Sequence, residues 1–156
     1  MIEIERKFKV VSPEYKELAS NSRKIIQGFL NSNKNRIVRV RLTGNEGRLT
    51  VKGKSTDDGL ERFEWETIIS KNDALDLLDL CEKPMIEKSR YDVFHEGKLF
   101  EIDEFYGENE GLVIAELELK SKDELFNLPS WIGEEVTGDQ KYYNANLITN
   151  PYKNWK

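Results

Sequence analysis

The chain has 156 residues, 38% of them hydrophobic and 34% charged, with a formal net charge of −5. This length supports one ordinary hydrophobic core and is too short for two, so we predict a single domain over residues 1–156. The negative balance argues against a nucleic-acid partner, because duplex affinity comes mainly from Lys and Arg side chains that neutralise phosphates.

Alternating hydrophobicity predicts eight strands in chain order, at residues 2–10, 23–30, 36–43, 47–52, 61–69, 86–94, 98–105 and 112–120. Gly, Asn and Asp fill the short connections at residues 44–47, 57–59 and 95–98, which favours antiparallel hairpins. The strands therefore predict a meander.

Capping residues predict four helices between and after these strands. Ser12-Pro13 introduces a helix over residues 14–19, and capping-box spacing predicts helices over residues 73–81 and 124 to about 126. A last helix is predicted from Thr137 or Gly138 through Leu147. The fold class is thus mainly β (α+β).

The start of the sequence and its one cysteine indicate a cytoplasmic protein. The charged first strand begins at once, without the basic and apolar regions of a signal peptide, and no apolar run approaches membrane length. Cys81 excludes an intramolecular disulfide and lies in an apolar-periodic stretch, which favours a buried hydrophobe over a reactive thiol. We expect no membrane contact, and the sequence leaves a homodimer open.

Charged side chains share one parity on almost every strand, and apolar side chains share the other. On the first strand Glu3, Glu5 and Lys7 alternate with Ile4 and Phe8. Like charges two residues apart lie about 6.5–7 Å from each other in a strand, which is unfavourable unless opposite charge lies between them. A solvated sheet face is one explanation. The like-signed pairs and the persistent parity favour a curled sheet that encloses its charged face around one small ligand, with the helices packed outside.

The residue types limit the chemistry of such an interior. Acidic oxygens without His or Cys partners favour Mg²⁺ or Mn²⁺ over zinc or copper. His95 is the only histidine and lies in a turn sequence, so a His-based metal site or a Ser/His/Asp triad has no residues to use. Arg forks grip phosphate oxygens, whereas a glycine-rich phosphate loop is absent from the sequence. Phosphate binding would rest on side chains and metal.

An ordered series of motifs resembles the CYTH superfamily, the triphosphate tunnel metalloenzymes, in its short bacterial branch. The segment Glu3-Ile4-Glu5-Arg6-Lys7 matches the Glu-x-Glu-x-Lys signature of the superfamily. The later matching segments follow in order and span nearly the whole chain: residues 39–41, 50–52, 62–66, 87–91, 101–103, 116–118 and 133–137.

The resemblance implies an eight-stranded antiparallel closed β-barrel that takes a linear triphosphate and a divalent metal, Mg²⁺ or Mn²⁺, with two ions per site. The implied phosphate-binding residues are Lys7, Arg39, Arg41, Lys52, Lys88, Arg90 and, at the tunnel mouth, Lys141. The implied metal-binding residues are Glu3, Glu5, Glu64, Glu116 and Glu118, with Asp103 nearby. Of these, Lys7, Glu5, Arg41 and Lys88 are the expected catalytic residues.

One residue of this chain departs from the pattern of the short bacterial triphosphatases that it otherwise resembles. They typically carry Tyr where this chain has Phe29, and that hydroxyl is thought to pair with the signature lysine, here Lys7. Phe29 cannot form this hydrogen bond. The departure affects the substrate, the general base or the rate.

The leading hypothesis is metal-dependent hydrolysis of inorganic triphosphate to diphosphate and phosphate, because the short chain shows no evident nucleobase pocket. The alternatives within enzymes are a nucleoside or thiamine triphosphatase and an adenylate cyclase of the CYTH kind. The alternative from another class is a module that binds triphosphate or polyphosphate without turnover.

Overall fold

Strands dominate the computed structural model, which describes residues 1–155. The strands are β1 (Ile2–Val10), β2 (Asn21–Asn31), β3 (Arg36–Thr43), β4 (Glu46–Gly53), β5 (Glu61–Ile69), β6 (Ile86–His95), β7 (Lys98–Phe105), β8 (Val113–Leu119) and β9 (Ile132–Glu135). The first eight match the predicted strands within two residues at each end. The short strand β9 was not predicted.

The first eight strands close into an antiparallel barrel. Neighbours follow the order β5, β4, β3, β2, β6, β7, β8 and β1, and β1 also pairs with β5. The sheet is not a simple meander, because β1 lies between β8 and β5 and its sequence neighbour β2 pairs with β3 and β6. The predicted closed eight-stranded barrel is therefore confirmed, and β9 adds to it at one edge of β1.

Strand β1 has three partners. Its residues 4–9 pair with β8, which sets Lys7 opposite Glu116 and Glu5 opposite Glu118. On its other edge Ile2 to Ile4 pair with β5, and Phe8 and Val10 pair with β9. Charged residues of β1 and β8, which are more than 100 residues apart in the sequence, therefore meet inside the barrel.

The predicted hairpins are present, with β3 to β4, β4 to β5 and β6 to β7 paired as antiparallel neighbours. In the β6–β7 turn both Glu96 and Gly97 have positive φ, 48° and 80°. Two left-handed residues in a two-residue turn match the right-handed twist of the flanking strands. This turn therefore fixes the register in which Arg90 lies opposite Asp103.

Two α-helices lie on the outside of the barrel, α1 (Tyr15–Leu18) and α2 (Lys71–Asp79). The predicted cap of α2 is present, because the Ser70 hydroxyl accepts a hydrogen bond of 3.0 Å from the Asp73 amide. Helix α2 nevertheless begins and ends two residues earlier than predicted. No membrane-spanning helix occurs within residues 1–155.

The other two predicted helices were wrong. Instead of opening a helix, the Glu124 side chain accepts a hydrogen bond of 2.6 Å from the Lys120 amide, and a turn forms. The last predicted helix is divided into 3₁₀ helices at Gln140–Tyr142 and Asn144–Leu147, because Tyr143 between them is extended, with φ −71° and ψ 132°. A 3₁₀ helix also occurs at Gly107–Asn109 and at Tyr152–Asn154.

Three apolar clusters hold these layers together. Outside the barrel, α2 covers Val40 and Leu42 through Ala74 and Leu78. A second outer cluster places Tyr15 of α1 and Trp131 against apolar residues of β7 and β8. The third cluster lies at one end of the barrel, where strand residues pack against Val136, Tyr142, Ala145, Leu147 and Ile148.

We call residues 137–155 the C-terminal segment and the barrel end that they cover the covered end. The apolar parity predicted for the outer face is confirmed at Val40, Ile102 and Leu117, which are buried. On β5 the outer face is less covered, since Phe63 and Trp65 remain 45% and 47% exposed.

Candidate active site

Inside the barrel lies a cavity of about 570 Å³, which we call the tunnel. Each of the eight barrel strands contributes side chains to it, and the C-terminal segment contributes Tyr143, Asn144 and Ala145. The predicted site residues that line the tunnel are Glu3, Glu5, Lys7, Arg39, Arg41, Lys52, Glu64, Lys88, Arg90, Glu116 and Glu118. The charged parity of the sequence thus corresponds to the interior of the barrel.

The signature carboxylates are held around Lys7. Its ammonium lies 3.3 Å from Glu5 Oε1 and 3.7 Å from Glu116 Oε1. Burial and the neighbouring Glu116 raise the pKa of Glu5 to about 8. Burial opposes ionisation of Glu116 as well, but Lys7 and a hydrogen bond from Glu5 hold its pKa well below the usual range. At neutral pH this pair of carboxyl groups therefore shares a proton, which a bound cation would displace.

A second ammonium lies between carboxylates near the start of β1. Lys52 Nζ is 3.2 Å from Glu3 Oε1 and 3.3 Å from Glu64 Oε2. The Glu64 oxygen is buried and accepts no hydrogen bond of good geometry. It is therefore available to a further ligand of positive charge.

The acidic residues fit a hard divalent cation by their chemistry. Carboxylate oxygens without His or Cys ligands suit Mg²⁺ or Mn²⁺, and Glu64 Oε2, which has an ion pair with Lys52 but no hydrogen bond, could serve as a ligand of such an ion. Within residues 1–155 no group of three or more acidic, His or Cys side chains already has metal-binding geometry. The two lysine ammoniums take the place of the cation, so binding of a metal requires them to move aside.

Asp103 is used differently from the other predicted metal ligands. Its Oδ2 accepts hydrogen bonds of 2.7 Å from Lys88 Nζ and 2.8 Å from Arg90, and its Oδ1 accepts one of 2.7 Å from Arg90 Nε. Burial would raise the pKa of Asp103, but Arg90 and Lys88 lower it. Asp103 is thus the counterion of two phosphate-binding candidates, and direct metal ligation by it stays a prediction.

A chain of two amides, the buried Gln27 and the half-buried Asn144, links the remaining cations. Asn144 Oδ1 accepts hydrogen bonds from Lys88 Nζ at 2.9 Å and from Gln27 Nε2 at 2.7 Å. Gln27 Oε1 in turn accepts one of 3.0 Å from Arg41 Nε. The chain fixes both amides and aims Lys88 and Arg41 at the same part of the tunnel. Neither Gln27 nor Asn144 was singled out as a site residue from the sequence.

Positive charge in this region is in excess. Burial lowers the pKa of Lys88 to about 7, although Asp103 opposes the shift. Burial and the neighbouring Arg39 and Arg90 lower the pKa of Arg41 to about 9. Burial also lowers the pKa of Arg39, whose Nε is buried without a hydrogen-bond partner among the described residues. A multiply charged anion would satisfy all three groups at once.

Lys141 lies elsewhere. Its side chain is exposed, and its ammonium is 4.7 Å from the centroid of the Trp155 ring. It is not among the residues that line the tunnel. The predicted contact of Lys141 with substrate therefore stays a prediction.

The tunnel residues Arg23, Arg48, Arg62, Tyr143 and Asn144 were not expected from the sequence, nor was Gln27, which contacts Arg41 and Asn144. Strand parity could have indicated Arg23 and Gln27, because they lie on the same face of β2 as Phe29, which lines the tunnel. Tyr143 and Asn144 gave no such signal, since their segment was predicted as one helix.

Comparison with known proteins agrees with this geometry. The family model for the CYTH domain matches residues 1–150. The chain belongs to the CYTH family. An inorganic triphosphatase of Acetivibrio thermocellus is 52% identical over 155 residues, with 99% of this chain and 97% of the relative covered. An inorganic triphosphatase of Nitrosomonas europaea is 37% identical over 151 residues, with 94% and 97% covered.

Solved structures show the same CYTH architecture. The crystal structure of the inorganic triphosphatase NE1496 has a TM-score of 0.64 and 33% identity, and the match covers 94% of this chain and 97% of that one. The family expected from the ordered motifs is therefore confirmed.

Proposed function

We propose that this CYTH protein hydrolyses inorganic triphosphate to diphosphate and phosphate. The observation that carries the proposal is the group of tunnel cations Arg39, Arg41 and Lys88, whose charge the protein neutralises only in part. Among residues 1–155 Arg41 has no carboxylate oxygen within 4 Å, Lys88 shares Asp103 with Arg90, and Arg39 has one ion pair of 3.5 Å with Glu66. A small, highly charged anion supplies the missing charge, and a barrel cavity of this size excludes a macromolecule. Both curated relatives are named for action on this substrate.

The cations would divide the work of binding. Lys7, Arg39, Arg41, Lys52, Lys88 and Arg90 surround the tunnel and would hold the phosphate oxygens. Arg41 and Lys88 are aimed by Gln27 and Asn144, so they would stabilise charge on the transferred phosphoryl group. Lys141 would join them only after its ammonium leaves the Trp155 ring.

The acidic residues would hold two divalent ions, Mg²⁺ or Mn²⁺. The ligands would come from Glu3, Glu5, Glu64, Glu116 and Glu118, with Asp103 behind them as the counterion of Lys88 and Arg90. When bound, such ions neutralise phosphate charge and acidify water for in-line attack.

Lys7 acts as a proton donor or a fixed charge in this arrangement. Burial would lower its pKa, but Glu116 and Glu5 raise the pKa of Lys7 above its usual value. A lysine that stays protonated cannot take a proton from water. The departure at Phe29 agrees with this role, since no tyrosine hydroxyl stands at that position to share the proton.

Release of phosphate in a colorimetric assay tests the proposal. Triphosphate, ATP, thiamine triphosphate and longer polyphosphate are compared with Mg²⁺, with Mn²⁺ and with a chelator. We expect metal-dependent release that is fastest with triphosphate. A preference for ATP would show that inorganic triphosphate is not the main substrate, and formation of cyclic AMP would favour an adenylate cyclase. Calorimetric binding without release at any metal or pH would favour a binding module.

Two further predictions concern the protein as a whole. We infer that residues 1–156 form this one tunnel domain, which the family match over residues 1–150 supports. We also expect a cytoplasmic enzyme, in agreement with a substrate that occurs free in solution.

A further inference from the structure

A second cavity, of about 240 Å³, lies at the covered end of the barrel. Lys34, Lys54 and Arg62 line it, together with Gly138 and Gln140. It shares the side chains of Ser55, Arg62 and Tyr143 with the tunnel. The two cavities are therefore neighbours on either side of these shared residues.

The second cavity has the charge of an anion site. Among residues 1–155, neither Lys34, Lys54 nor Arg62 has a carboxylate oxygen within 4 Å, and Asp57 is the one acidic residue of the lining. The Arg62 guanidinium is held by carbonyl oxygens instead, at 2.9 Å from Gly53 and 3.3 Å from Lys34. These contacts fix its position and leave its charge without a counterion.

Tyr143 lies at the boundary between the two cavities, together with Ser55, Gly59 and Arg62. Its ring centroid lies 5.8 Å from Lys7 Nζ, which lines the tunnel, and 5.9 Å from Arg62 Cζ, whose side chain lines both cavities. The ring is therefore within cation–π distance of positive groups of both cavities. A smaller side chain at this position would join the two spaces.

The backbone beside Tyr143 is held firmly. Gly59 and Gly138 touch so closely that a Cβ on Gly59 would lie 2.3 Å from Gly138 Cα. On either side of Tyr143, the side chains of Tyr142 and Ala145 are buried in the apolar cluster of the covered end. These contacts hold the segment in place, so a change in the size of the Tyr143 side chain is expected to alter the boundary between the cavities.

We propose that Tyr143 determines how far a linear polyphosphate enters the tunnel, and that Lys34, Lys54 and Arg62 form an additional phosphate subsite behind it. This inference rests on the proposed function, since it concerns the register of the same phosphate chain. With the ring in place, the terminal phosphate stops at Tyr143. Without the ring, inorganic chains longer than triphosphate gain contacts with the three cations.

The test compares Tyr143→Ala with Tyr143→Phe, which keeps the ring. We measure kcat/KM for inorganic tetraphosphate and for longer polyphosphate, each relative to triphosphate. We expect Tyr143→Ala to raise this ratio about tenfold over the wild type and Tyr143→Phe to leave it unchanged. Tyr143→Leu guards against a folding defect in the alanine variant, and thermal unfolding is recorded for each protein.

Reversing the charge of the second cavity completes the test. Lys34→Glu with Lys54→Glu should remove the gain from Tyr143→Ala and leave triphosphate turnover of the Tyr143 protein unchanged. An unchanged ratio in both the Ala and Leu variants overturns the inference, as does a gain that survives charge reversal. If the wild type binds triphosphate but does not hydrolyse it, the proposed function fails. The ratio of calorimetric dissociation constants for long and short chains then decides the inference separately.

Discussion

At the scale of single residues, the tunnel is built from charges that the protein leaves incompletely neutralised. Lys7 and Lys52 lie between carboxylates that would otherwise repel each other. Arg39 and Lys88 are buried and Arg41 is half-buried, and all three have lowered pKa values. A divalent metal ion would neutralise the carboxylates, and a phosphate chain would neutralise the cations. The two ligands would therefore favour each other's binding.

Glu5→Gln should abolish metal-dependent turnover while the barrel stays folded. The amide keeps the shape of the side chain but removes an anionic ligand beside Glu116. We expect a loss of at least about 100-fold in kcat/KM, since even groups behind metal ligands cost about 10- to 100-fold. Phosphate release and circular dichroism are measured together, and Glu134→Gln, at an exposed position, serves as the control. Full activity of Glu5→Gln would show that the metal assignment is wrong.

Stability of the metal-free protein should fall as the pH rises from about 5 to 7. The pKa of Glu5 is raised from 4.5 to about 8, so in this window the native state holds a proton that the unfolded chain has released. Lys88, with its pKa lowered to about 7, adds a slope of opposite sign only above that pH. Thermal unfolding in a chelator should show a shallower slope for Glu5→Gln. An equal dependence of stability on pH in the wild type and in Glu5→Gln would contradict the raised pKa of Glu5.

Phe29→Tyr tests the departure at β2. The Phe29 side chain is buried and lines the tunnel, so an added hydroxyl enters the site. We expect higher turnover of triphosphate, because the hydroxyl offers Lys7 a hydrogen-bond partner. The measurement is kcat at saturating substrate, with the pH profile recorded for both proteins. Absence of a gain would mean that Lys7 acts without such a partner in this chain.

The charged residues of the site could be predicted from the sequence because strand parity places them on one face. Gln27 and Asn144 could not, since an uncharged amide can be recognised as part of the site only when its hydrogen-bond partners are known. The ion pairs of Asp103 with Lys88 and Arg90 also could not be predicted, because the local sequence does not reveal the register in which β6 pairs with β7; metal ligation by Asp103 stays a prediction.

At the scale of elements, helix α2 shows how the outside of the barrel is stabilised. Gly47 lets the helix approach closely, since a Cβ there would lie 2.7 Å from Ala74 Cβ. The helix has a hydrogen-bonded N-cap at Ser70, and its buried residues Ala74 and Leu78 face β3. The tunnel lies on the other side of the same strands, so packing of α2 supports the position of Arg39 and Arg41 without contact with substrate.

Leu78→Ala should lower the free energy of unfolding by about 2–5 kcal/mol, because it leaves a cavity in this cluster. Leu75→Ala is a matched control on the same helix. Leu78 is 4% exposed and Leu75 is 43% exposed, so the control should cost much less. Denaturant unfolding measures both. Equal losses would show that α2 does not pack as described.

Hydrophobic periodicity predicted the elements that are long enough to show a regular pattern. It failed for short segments whose conformation is decided by tertiary contacts. Eight strands have their residues in regular alternation, and hairpin residues mark their ends. The four residues of β9 are too few for a pattern, and they form a strand because β1 offers them an edge. A turn forms in place of the helix predicted over residues 124–126, because the Glu124 side chain accepts a hydrogen bond from the Lys120 amide.

At the scale of the whole molecule, the barrel and its ligands should stabilise each other. Triphosphate with Mg²⁺ should raise the free energy of unfolding by about 2.7 kcal/mol at about 100 times its dissociation constant. Arg41→Ala should show a smaller rise at the same concentrations, since it loses a phosphate contact. Thermal unfolding is measured within the time before turnover consumes the ligand. An equal rise in both proteins would exclude Arg41 from binding.

Closure of the barrel could be expected from the enclosed charge, but the strand that closes it could not be read from local sequence.

Whether two copies associate also stays a prediction. The exposed outer face of β5, with Phe63 and Trp65, is the apolar surface to examine by light scattering.

The three partners of β1 have a consequence for how the protein is made. This strand is synthesised before all of its partners, since β5 begins at Glu61, β8 at Val113 and β9 at Ile132. Its hydrogen-bonding edges therefore wait for most of the chain to be synthesised, and such distant pairings slow folding. A nascent chain halted before Val113 would have Glu3, Glu5 and Lys7 but no Glu116 or Glu118 to meet them. The tunnel can therefore close only after β8 has been made, about a hundred residues after β1.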